Sequence, residues 1–280
     1  MEVSDNLGKR ILVAVVFIPL LLVLIYGISP AYPWALCLLI AGLSVISVHE
    51  VLWSTGFLKH ARISGYSIVL AGLIPFWVYY DGESLPALCG LFVYVLLLFA
   101  EAIASHKRIG LEKLGGAFFL SVVIPFFLSS FLRIRHMEHW EYLILLPLVA
   151  AFISDAFALF AGLAFGKHKL APELSPKKTV EGAVGGFAGA VVCTVVYGAV
   201  LQFGFDVPVN YLCLAVYGAL GSAVSQLGDL SFSYIKREYG IKDFGNILPG
   251  HGGILDRFDS VIFCAPLMEL LIRFLPAVGV

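Results

Sequence analysis

Residues 142–165 read YLILLPLVAAFISDAFALFAGLAF, an apolar segment with a single charged side chain, Asp155. A helix of about 20 apolar residues crosses the hydrocarbon core of a bilayer, so this segment is long enough to span one. The whole chain has the same character: 60% of its 280 residues are hydrophobic, 13% are charged, and the mean hydropathy is +0.95. So few charges cannot cover a water-soluble surface, which excludes a soluble enzyme, a disordered chain and a nucleic-acid-coating protein.

Nine segments along the chain have the length and hydropathy of a transmembrane helix. Lipid offers no hydrogen-bond partner to the backbone, so segments of this length satisfy their own polar groups as helices. The predicted fold class is therefore an all-α integral membrane protein with about nine transmembrane helices. The predicted spans are 11–28, 33–53, 63–80, 85–104, 114–132, 142–165, 183–204, 211–235 and 259–278.

Lysine and arginine are unevenly distributed between the loops on the two sides of these spans. Of the 18 basic residues, all except Arg133, Arg135 and Arg273 fall on the side that also holds the N-terminus. Cytoplasmic loops carry the excess of Lys and Arg in membrane proteins. The pattern predicts a cytoplasmic N-terminus, an outside C-terminus, and location in the inner (cytoplasmic) membrane.

The loops also divide the chain. They are short up to residue 133, whereas residues 134–280 contain two long polar loops, 166–182 and 236–258, on the predicted cytoplasmic side. This predicts an N-terminal transmembrane bundle over 1–133 and a catalytic transmembrane half over 134–280, with its active site facing the cytoplasm. His49, Glu50 and Glu101, at the ends of the second and fourth spans, are predicted to be interfacial.

Asp155 lies deep in the sixth span, where a carboxylate is costly and usually faces a bundle interior or a wet cavity. Ala151, Ala158 and Gly162 share its face of the helix, so it points at neighbouring helices rather than at lipid. A buried hydrogen-bond anchor and a functional group are both consistent with this position. The seventh span contains the GxxxG pairs Gly182/Gly186 and Gly185/Gly189, which predict tight helix packing.

The eighth span carries a continuous stripe of small and polar residues on one face. Such a stripe lines either a helix contact or a hydrophilic cavity open to the cytoplasm. Asp229 lies about two turns from the basic pair Lys236–Arg237, at a depth suited to a buried metal ligand. The stripe consists of Gly218, Ser222, Ser225, Asp229, Ser233 and Lys236.

The loop 166–182 contains Pro172 and Pro176, which forbid a continuous helix, so we expect an ordered turn leading into the seventh span. Ser175 is a candidate cap of a short turn, and Thr179 a candidate N-cap of the following helix. Lys177 and Lys178 at a helix N-terminus form a candidate phosphate site. The alternative is that these are ordinary positive-inside lysines beside anionic lipid headgroups.

The loop 236–258 places Gly250, Gly252 and Gly253 around His251, so the backbone can approach a ligand closely, as phosphate-binding loops require. Asp256 and Asp259 follow, three residues apart, at the start of the last helix. Carboxylates supply the oxygen ligands that Mg²⁺ prefers, while Lys and Arg neutralise phosphoryl charge. The loop therefore predicts a Mg²⁺–polyphosphate site without a Walker or Rossmann glycine motif.

Residues 233–259 resemble the phosphatidate cytidylyltransferase (CDP-diacylglycerol synthase) family. The family hallmark runs Ser-x-apolar-Lys-Arg, four residues, Lys-Asp-x-small, and then Pro-x-His-Gly-Gly-apolar-x-Asp-Arg-apolar-Asp, and this chain matches every specified position. Upstream, Ser175-Pro-Lys-Lys-Thr-x-Glu-Gly182 and Asp155 with the Phe165-Gly166-Lys167 turn also look like the family. The resemblance covers residues 150–260; the first five spans carry no diagnostic residue.

The resemblance implies the reaction CTP + phosphatidate → CDP-diacylglycerol + diphosphate, with Mg²⁺ and a second cation as cofactors. It implies that Asp229 and Asp256 are metal ligands and that these two residues, Lys236, Arg237 and His251 form the catalytic set. Lys177, Lys178, Lys236 and Arg237 would bind phosphates of CTP or phosphatidate. The other residues that it assigns to substrate binding are Ser175, Glu181, Lys242, Asp243, Gly252, Gly253, Arg257, Asp259 and Asp155.

Two other functions use similar residues. A CTP-dependent polyprenol or dolichol kinase needs the same cations but delivers the γ-phosphate, and the complete hallmark favours cytidylyl transfer. A membrane transporter of anionic solutes would use Asp155 and Asp229 for coupling, but it predicts repeated, broken helices, which the sequence lacks. The glycine-rich seventh span leaves two packing partners open, a neighbouring helix of the same chain or a second copy in a homodimer.

Overall fold

A computed structural model describes residues 19–57, 60–80, 84–247 and 252–279. About three quarters of these residues are helical, and among them a single two-stranded antiparallel hairpin forms the only sheet. The first described turns, Pro19–Ile28, end in a π-helix over Val23–Ile28. The remaining elements are α1 (Trp34–Ser54), α2 (Ala61–Tyr79), α3 (Ser84–Ala104), α4 (Leu111–Leu128), α5 (Ser130–Arg135), α6 (Trp140–Leu143), α7 (Leu146–Phe165), β1 (Lys169–Ala171), β2 (Ser175–Thr179), α8 (Val180–Phe205), α9 (Tyr211–Glu238) and α10 (Leu255–Phe274).

Seven helical segments are long and apolar enough to cross a membrane, which confirms an integral membrane protein of the all-α class. They correspond to the second through eighth predicted spans. The first predicted span, 11–28, is only partly described: residues 11–18 lie outside the described part, and the remaining residues, Pro19–Ile28, form a short apolar helix. The ninth corresponds to α10, which is helical but is not among these seven segments because it carries several charged residues.

The chain forms two compact units, which we describe separately. The first unit comprises the described residues up to Leu132 together with Tyr239–Arg257. The second unit comprises Arg133–Glu238 and the described residues from Phe258 onward. The segment Tyr239–Arg257, which holds most of the second predicted site loop, therefore packs with the amino-terminal helices rather than with its sequence neighbours.

The first unit is built from α1 to α4, whose inner faces are mostly apolar and include a short chain of hydrogen-bonded hydroxyl groups. The Tyr94 hydroxyl on α3 lies 2.8 Å from Ser67 Oγ on α2 and 2.7 Å from Ser121 Oγ on α4. Ser121 Oγ also donates to the Ala117 carbonyl at 2.6 Å, which satisfies its remaining polarity within the helix. Hydrogen bonds between buried side chains thus join three helices, and these bonds fix the positions of the helices relative to one another.

The second unit depends on close contact between α7 and α8. A Cβ at Gly182 would lie 2.7 Å from the Ala158 carbonyl oxygen, and one at Gly186 would lie 2.7 Å from that of Ser154. Only glycine allows the two backbones to approach this closely. The predicted role of the GxxxG pairs in tight helix packing is confirmed, and the packing partner of these glycines is a helix of the same chain.

Helix α9 packs on the same pair through polar contacts between small residues. Ser222 Oγ lies 2.7 Å from Ser154 Oγ on α7, and Thr194 Oγ1 on α8 donates to the Leu214 carbonyl at 3.0 Å. A Cβ at Gly218 would lie 2.7 Å from the Ala190 carbonyl oxygen. The half of the predicted stripe that contains Gly218 and Ser222 is therefore a helix contact.

Candidate active site

The loop between α7 and α8 is an ordered hairpin that Glu181 and Thr179 fasten to the start of α8. Thr179 Oγ1 accepts a hydrogen bond from the Gly182 amide at 3.1 Å, so the predicted N-cap is confirmed. The Glu181 carboxylate accepts the backbone N–H of Lys167 at 3.0 Å and pairs with His168 Nδ1 at 2.6 Å. Ser175 begins strand β2 instead of capping a turn, because its backbone pairs with Ala171.

Lys178, at the end of this hairpin, reaches α9 and forms an ion pair with the Asp229 carboxylate. Both side chains are about one quarter exposed, so the pair is open to solvent on one side. Ser233 Oγ, one turn further along α9, donates to Asp229 Oδ1 at 3.4 Å. The structure thus brings together one lysine of the first predicted loop and the carboxylate predicted as a metal ligand.

A second pair lies at the end of the same stripe. Lys236 Nζ is 3.8 Å from Asp259 Oδ2, and both side chains are about 11% exposed. Ser260 Oγ donates to Asp155 Oδ2 at 2.9 Å, which ties the intramembrane carboxylate of α7 to the residue after Asp259. These contacts in the second unit involve three carboxylates, Asp155, Asp229 and Asp259, and two lysines, and we call this set the carboxylate–lysine cluster.

Two further predicted residues of this loop region differ in how firmly they are held. Arg237 Nε donates to the Leu174 carbonyl at 3.0 Å and so supports the turn of the hairpin. Lys177 is exposed on strand β2, next to Lys178, where it is accessible to an anionic ligand. The two lysines therefore differ: the Lys178 side chain is paired with Asp229, and the Lys177 side chain is exposed.

In the first unit, Asp256 organises the backbone around the glycine loop. Its Oδ2 accepts the N–H of Phe244 at 2.8 Å and that of Gly253 at 3.0 Å. Gly252 has φ = +84°, a conformation that L side chains rarely adopt, and a Cβ there would lie 3.0 Å from Asp256 Oδ2 and 3.5 Å from Asp243 Oδ1. Gly252 therefore lets the loop approach two carboxylates closely, whereas the predicted close approach to a phosphate ligand stays a prediction.

The remaining predicted residues of this loop lie at the surface of the first unit or outside the described part of the chain. The side chains of Lys242, Asp243 and Arg257 are exposed. His251, predicted to be catalytic, belongs to residues 248–251, which lie outside the described residues.

Glu50, predicted to be interfacial, is buried within the protein, and its depth in the membrane stays a prediction. This side chain is 1% exposed, and its two carboxylate oxygens accept the backbone N–H groups of Ile254 and Leu255 at 3.0 and 2.8 Å. The signal available in the sequence was a carboxylate inside an otherwise apolar span, which implies a buried partner. The partner itself is 204 residues away and follows only from the fold.

Glu269, which the sequence left without a role, pairs with two arginines of the second unit. Its Oε2 is 2.6 Å from Arg133 Nε, and its Oε1 is 3.2 Å from Arg273 Nε, one turn along α10. This cluster accounts for two of the three basic residues on the predicted outer side. The two arginines balance the buried charge of Glu269, and none of the three residues is a predicted site residue.

The donor atoms present suit Mg²⁺ bound jointly with a substrate. Within the described ranges, no group of three or more His, Cys, Asp or Glu side chains has metal-binding geometry. Mg²⁺ usually takes only one or two protein carboxylates and completes its shell with water and substrate phosphates. Asp229, which is about one quarter exposed, supplies carboxylate oxygens of the kind that Mg²⁺ prefers.

Comparison with known proteins identifies the family. Residues 8–275 match the model of the cytidylyltransferase family. The chain is 38% identical to the phosphatidate cytidylyltransferase of Bacillus subtilis over 64% of its own length and 65% of that protein, and 38% identical to that of Thermotoga maritima over 59% and 62%. It is 30% identical to the phosphatidate cytidylyltransferase of Haemophilus influenzae over 96% of its own length and 99% of that protein. The chain therefore belongs to the cytidylyltransferase family.

Proposed function

We propose that this protein is a membrane nucleotidyltransferase that transfers the cytidylyl group of CTP to phosphatidate, giving CDP-diacylglycerol and diphosphate. The observation that carries the proposal is the carboxylate–lysine cluster of the second unit, in which Lys178 pairs with Asp229 and Lys236 with Asp259. The relatives named phosphatidate cytidylyltransferase support the choice of substrates.

The reaction needs no protein nucleophile. A phosphate oxygen of phosphatidate attacks the α-phosphorus of CTP and forms a new P–O bond, while the bond between the α- and β-phosphates breaks and diphosphate leaves with the electron pair. The protein then acts by positioning the two anions and by neutralising charge as it develops. Lys178 and Lys236 are already held near carboxylates, so their ammonium groups need little reordering when phosphates bind.

We assign Asp229, in the second unit, and Asp256, in the first, as metal ligands for Mg²⁺ and a second cation. When bound, such ions polarise phosphoryl oxygens and stabilise the attacking and leaving groups of an in-line displacement. Asp256 is pre-ordered for this task because two backbone N–H groups fix its Oδ2. The exposed Lys177 and Arg237 suit the outer phosphates of the substrates.

The proposed setting is the inner membrane, with nine spans, a cytoplasmic N-terminus and an active site open to the cytoplasm, where CTP is found. The distribution of basic residues supports this orientation. Phosphatidate would reach the site from the lipid. We propose no homodimer through the glycines of α8, because their close contacts are made with α7 of the same chain.

The test uses purified protein in detergent with phosphatidate, Mg²⁺ and CTP labelled at either the α- or the γ-phosphorus. The proposal expects label to enter the lipid from the α position only. Label entering a polyprenol from the γ position would instead identify a CTP-dependent kinase. Absence of transfer from either position, with acceptors varied, would overturn the enzyme assignment and favour a transporter.

A further inference from the structure

Glu50 is a buried carboxylate near the end of α1, on a helix that carries none of the site residues assigned above. Its side chain is 1% exposed, and a carboxylate at such a place is costly unless its hydrogen-bonding capacity is satisfied. Both oxygens are used: Oε1 accepts the Ile254 amide at 3.0 Å and Oε2 the Leu255 amide at 2.8 Å. Neither partner is a side chain, so Glu50 holds a stretch of backbone.

That backbone is the N-terminus of α10. The first N–H groups of a helix have no partner within it, and the positive end of the helix dipole favours a negative charge. Leu255 is the first residue of α10, and Ile254 directly precedes it. Glu50 therefore acts as a cap supplied by a distant helix, and it replaces the local Ser, Thr, Asp or Asn that usually performs this task.

The loop is shaped to admit this carboxylate. A Cβ at Gly245 or at Gly253 would overlap the Glu50 side chain, so both positions have room for glycine only. Both residues are buried. Two separated parts of the loop thus close on the same side chain, and either one would be displaced if Glu50 moved.

Asp256 stands directly after the residues that Glu50 holds. Its Oδ2 accepts the amides of Gly253 and Phe244, the residues adjacent to Ile254 and Gly245 respectively. Consecutive amides of the segment Gly253–Leu255 are therefore shared between two carboxylates, with Asp256 taking the first and Glu50 the next two. A shift of this segment would carry the Asp256 carboxylate with it.

We propose that Glu50 is a positioning residue that holds the segment Gly252–Asp256, and through it the Asp256 carboxylate, in the geometry required for phosphoryl chemistry. The inference rests on the proposed function, because Asp256 is assigned there as a metal ligand. It gives the amino-terminal helices a part in the reaction, since α1 supplies the anchor for a loop that lies about 200 residues later in the chain.

The test compares Glu50→Gln with the matched control Glu101→Gln in the full-length protein. Glutamine has the same shape, but its NH₂ group faces a backbone N–H and cannot accept from it. We expect a fall in kcat of about 10–100-fold, the range typical of residues that orient a metal ligand. We also expect faster hydrogen–deuterium exchange at the amides of Ile254 and Leu255. Glu101 pairs with the exposed Arg62 at 3.4 Å, so its variant should keep both properties within twofold.

Gly245→Ala provides a second variant that disturbs the same contact from the loop and leaves α1 unchanged. It should reproduce the faster exchange and the lower kcat, and it decides the question if Glu50→Gln does not fold. Unchanged exchange at Ile254 and Leu255, or an unchanged kcat per folded molecule, in the folded variants would overturn the inference. An inactive wild-type protein would instead contradict the proposed function.

Discussion

The acidic side chains of the polar regions differ in role, and the role of each follows from the groups that it contacts. Asp229 pairs with a lysine, Asp155 accepts from a serine hydroxyl, and Asp256 accepts two backbone amides. Glu181 fastens a hairpin and Glu269 balances two arginines. Backbone amides hold a carboxylate in position by charge-assisted hydrogen bonds, so the Asp256 carboxylate is fixed relative to the glycine loop.

Asp256→Asn should abolish most of the activity while the fold persists. Asparagine retains a carbonyl oxygen for the amides of Phe244 and Gly253 but loses the negative charge that a cation requires. We expect kcat to fall at least about 100-fold. The matched control is Asp206→Asn at an exposed left-handed position, which asparagine tolerates, and it should remain within twofold of the wild type. Transfer of α-label from CTP measures both, and equal activities would contradict the assignment of Asp256.

Lys178→Gln should weaken substrate use without loss of the hairpin. The change removes the cation paired with Asp229, and a hydrogen bond to a charged group contributes about 1.5–3 kcal/mol. We therefore expect kcat/KM to fall about 10–100-fold. Lys169→Gln, on the exposed strand β1, is the control and should change kcat/KM less than twofold. Equal losses in the two variants would indicate a general effect of surface charge on membrane or substrate attraction.

At the scale of elements, α8 shows why glycine spacing matters more than hydrophobicity in this chain. Most residues of α8 are apolar, but it is the glycines facing α7 that allow the backbones of the two helices to come into contact. Its N-terminus is fixed by Thr179, and the hairpin before it is fixed by Glu181. Helix packing therefore sets where Lys178 stands, because strand β2 leads directly into α8.

Gly186→Ala should destabilise the second unit, whereas Gly204→Ala on the same helix should not. The added methyl group at Gly186 would lie 2.7 Å from the Ser154 carbonyl oxygen, while nothing lies within 4 Å of a Cβ at Gly204. Overpacking of this kind costs about 1–3 kcal/mol, and each kcal/mol corresponds to roughly 2–4 °C in Tm for a chain of this size. Thermal unfolding in detergent measures the difference in Tm between the two variants. Equal Tm values would show that the α7–α8 contact accommodates the added methyl group at Gly186 without loss of stability.

At the scale of the whole molecule, the chain is a membrane protein whose polar residues are concentrated in two segments. One is the hairpin region after α7, which belongs to the second unit. The other is Tyr239–Arg257, which belongs to the first. The proposed orientation assigns both to the cytoplasmic side, where a water-soluble nucleotide meets a lipid substrate.

The orientation predicts opposite labelling of two engineered cysteines. In a background without the five native cysteines, Lys169→Cys lies on the hairpin and Glu138→Cys in the loop before α6, and both positions are exposed. A membrane-impermeant maleimide is added to cells whose inner membrane is intact and whose outer layers admit the reagent. It should label Glu138→Cys directly. It should label Lys169→Cys only after the inner membrane is opened. The reverse labelling pattern would contradict the proposed orientation and indicate the opposite one.

The class of protein and the positions of the long helices described here could be predicted from the amino-acid sequence alone. Length and hydropathy decide these because a lipid environment requires apolar helices about 20 residues long. The sequence also located the pattern around Asp256, because glycine and carboxylate spacing is local. The helical breaks at Ser129 and around Ile144 and the short strands β1 and β2 were not predicted, since they depend on local hydrogen bonds that hydropathy does not encode.

The contacts between polar groups follow from the folded arrangement of the helices. Lys178 and Asp229 are far apart in sequence and meet because the start of α8 lies beside α9. Asp155 and Ser260 meet because α7 contacts α10. Glu50 is the clearest case: hydropathy places it at a membrane surface, whereas the fold buries it against the first turn of α10. The physical reason is that burial and pairing are properties of helix–helix contacts, and a single segment does not contain its partner.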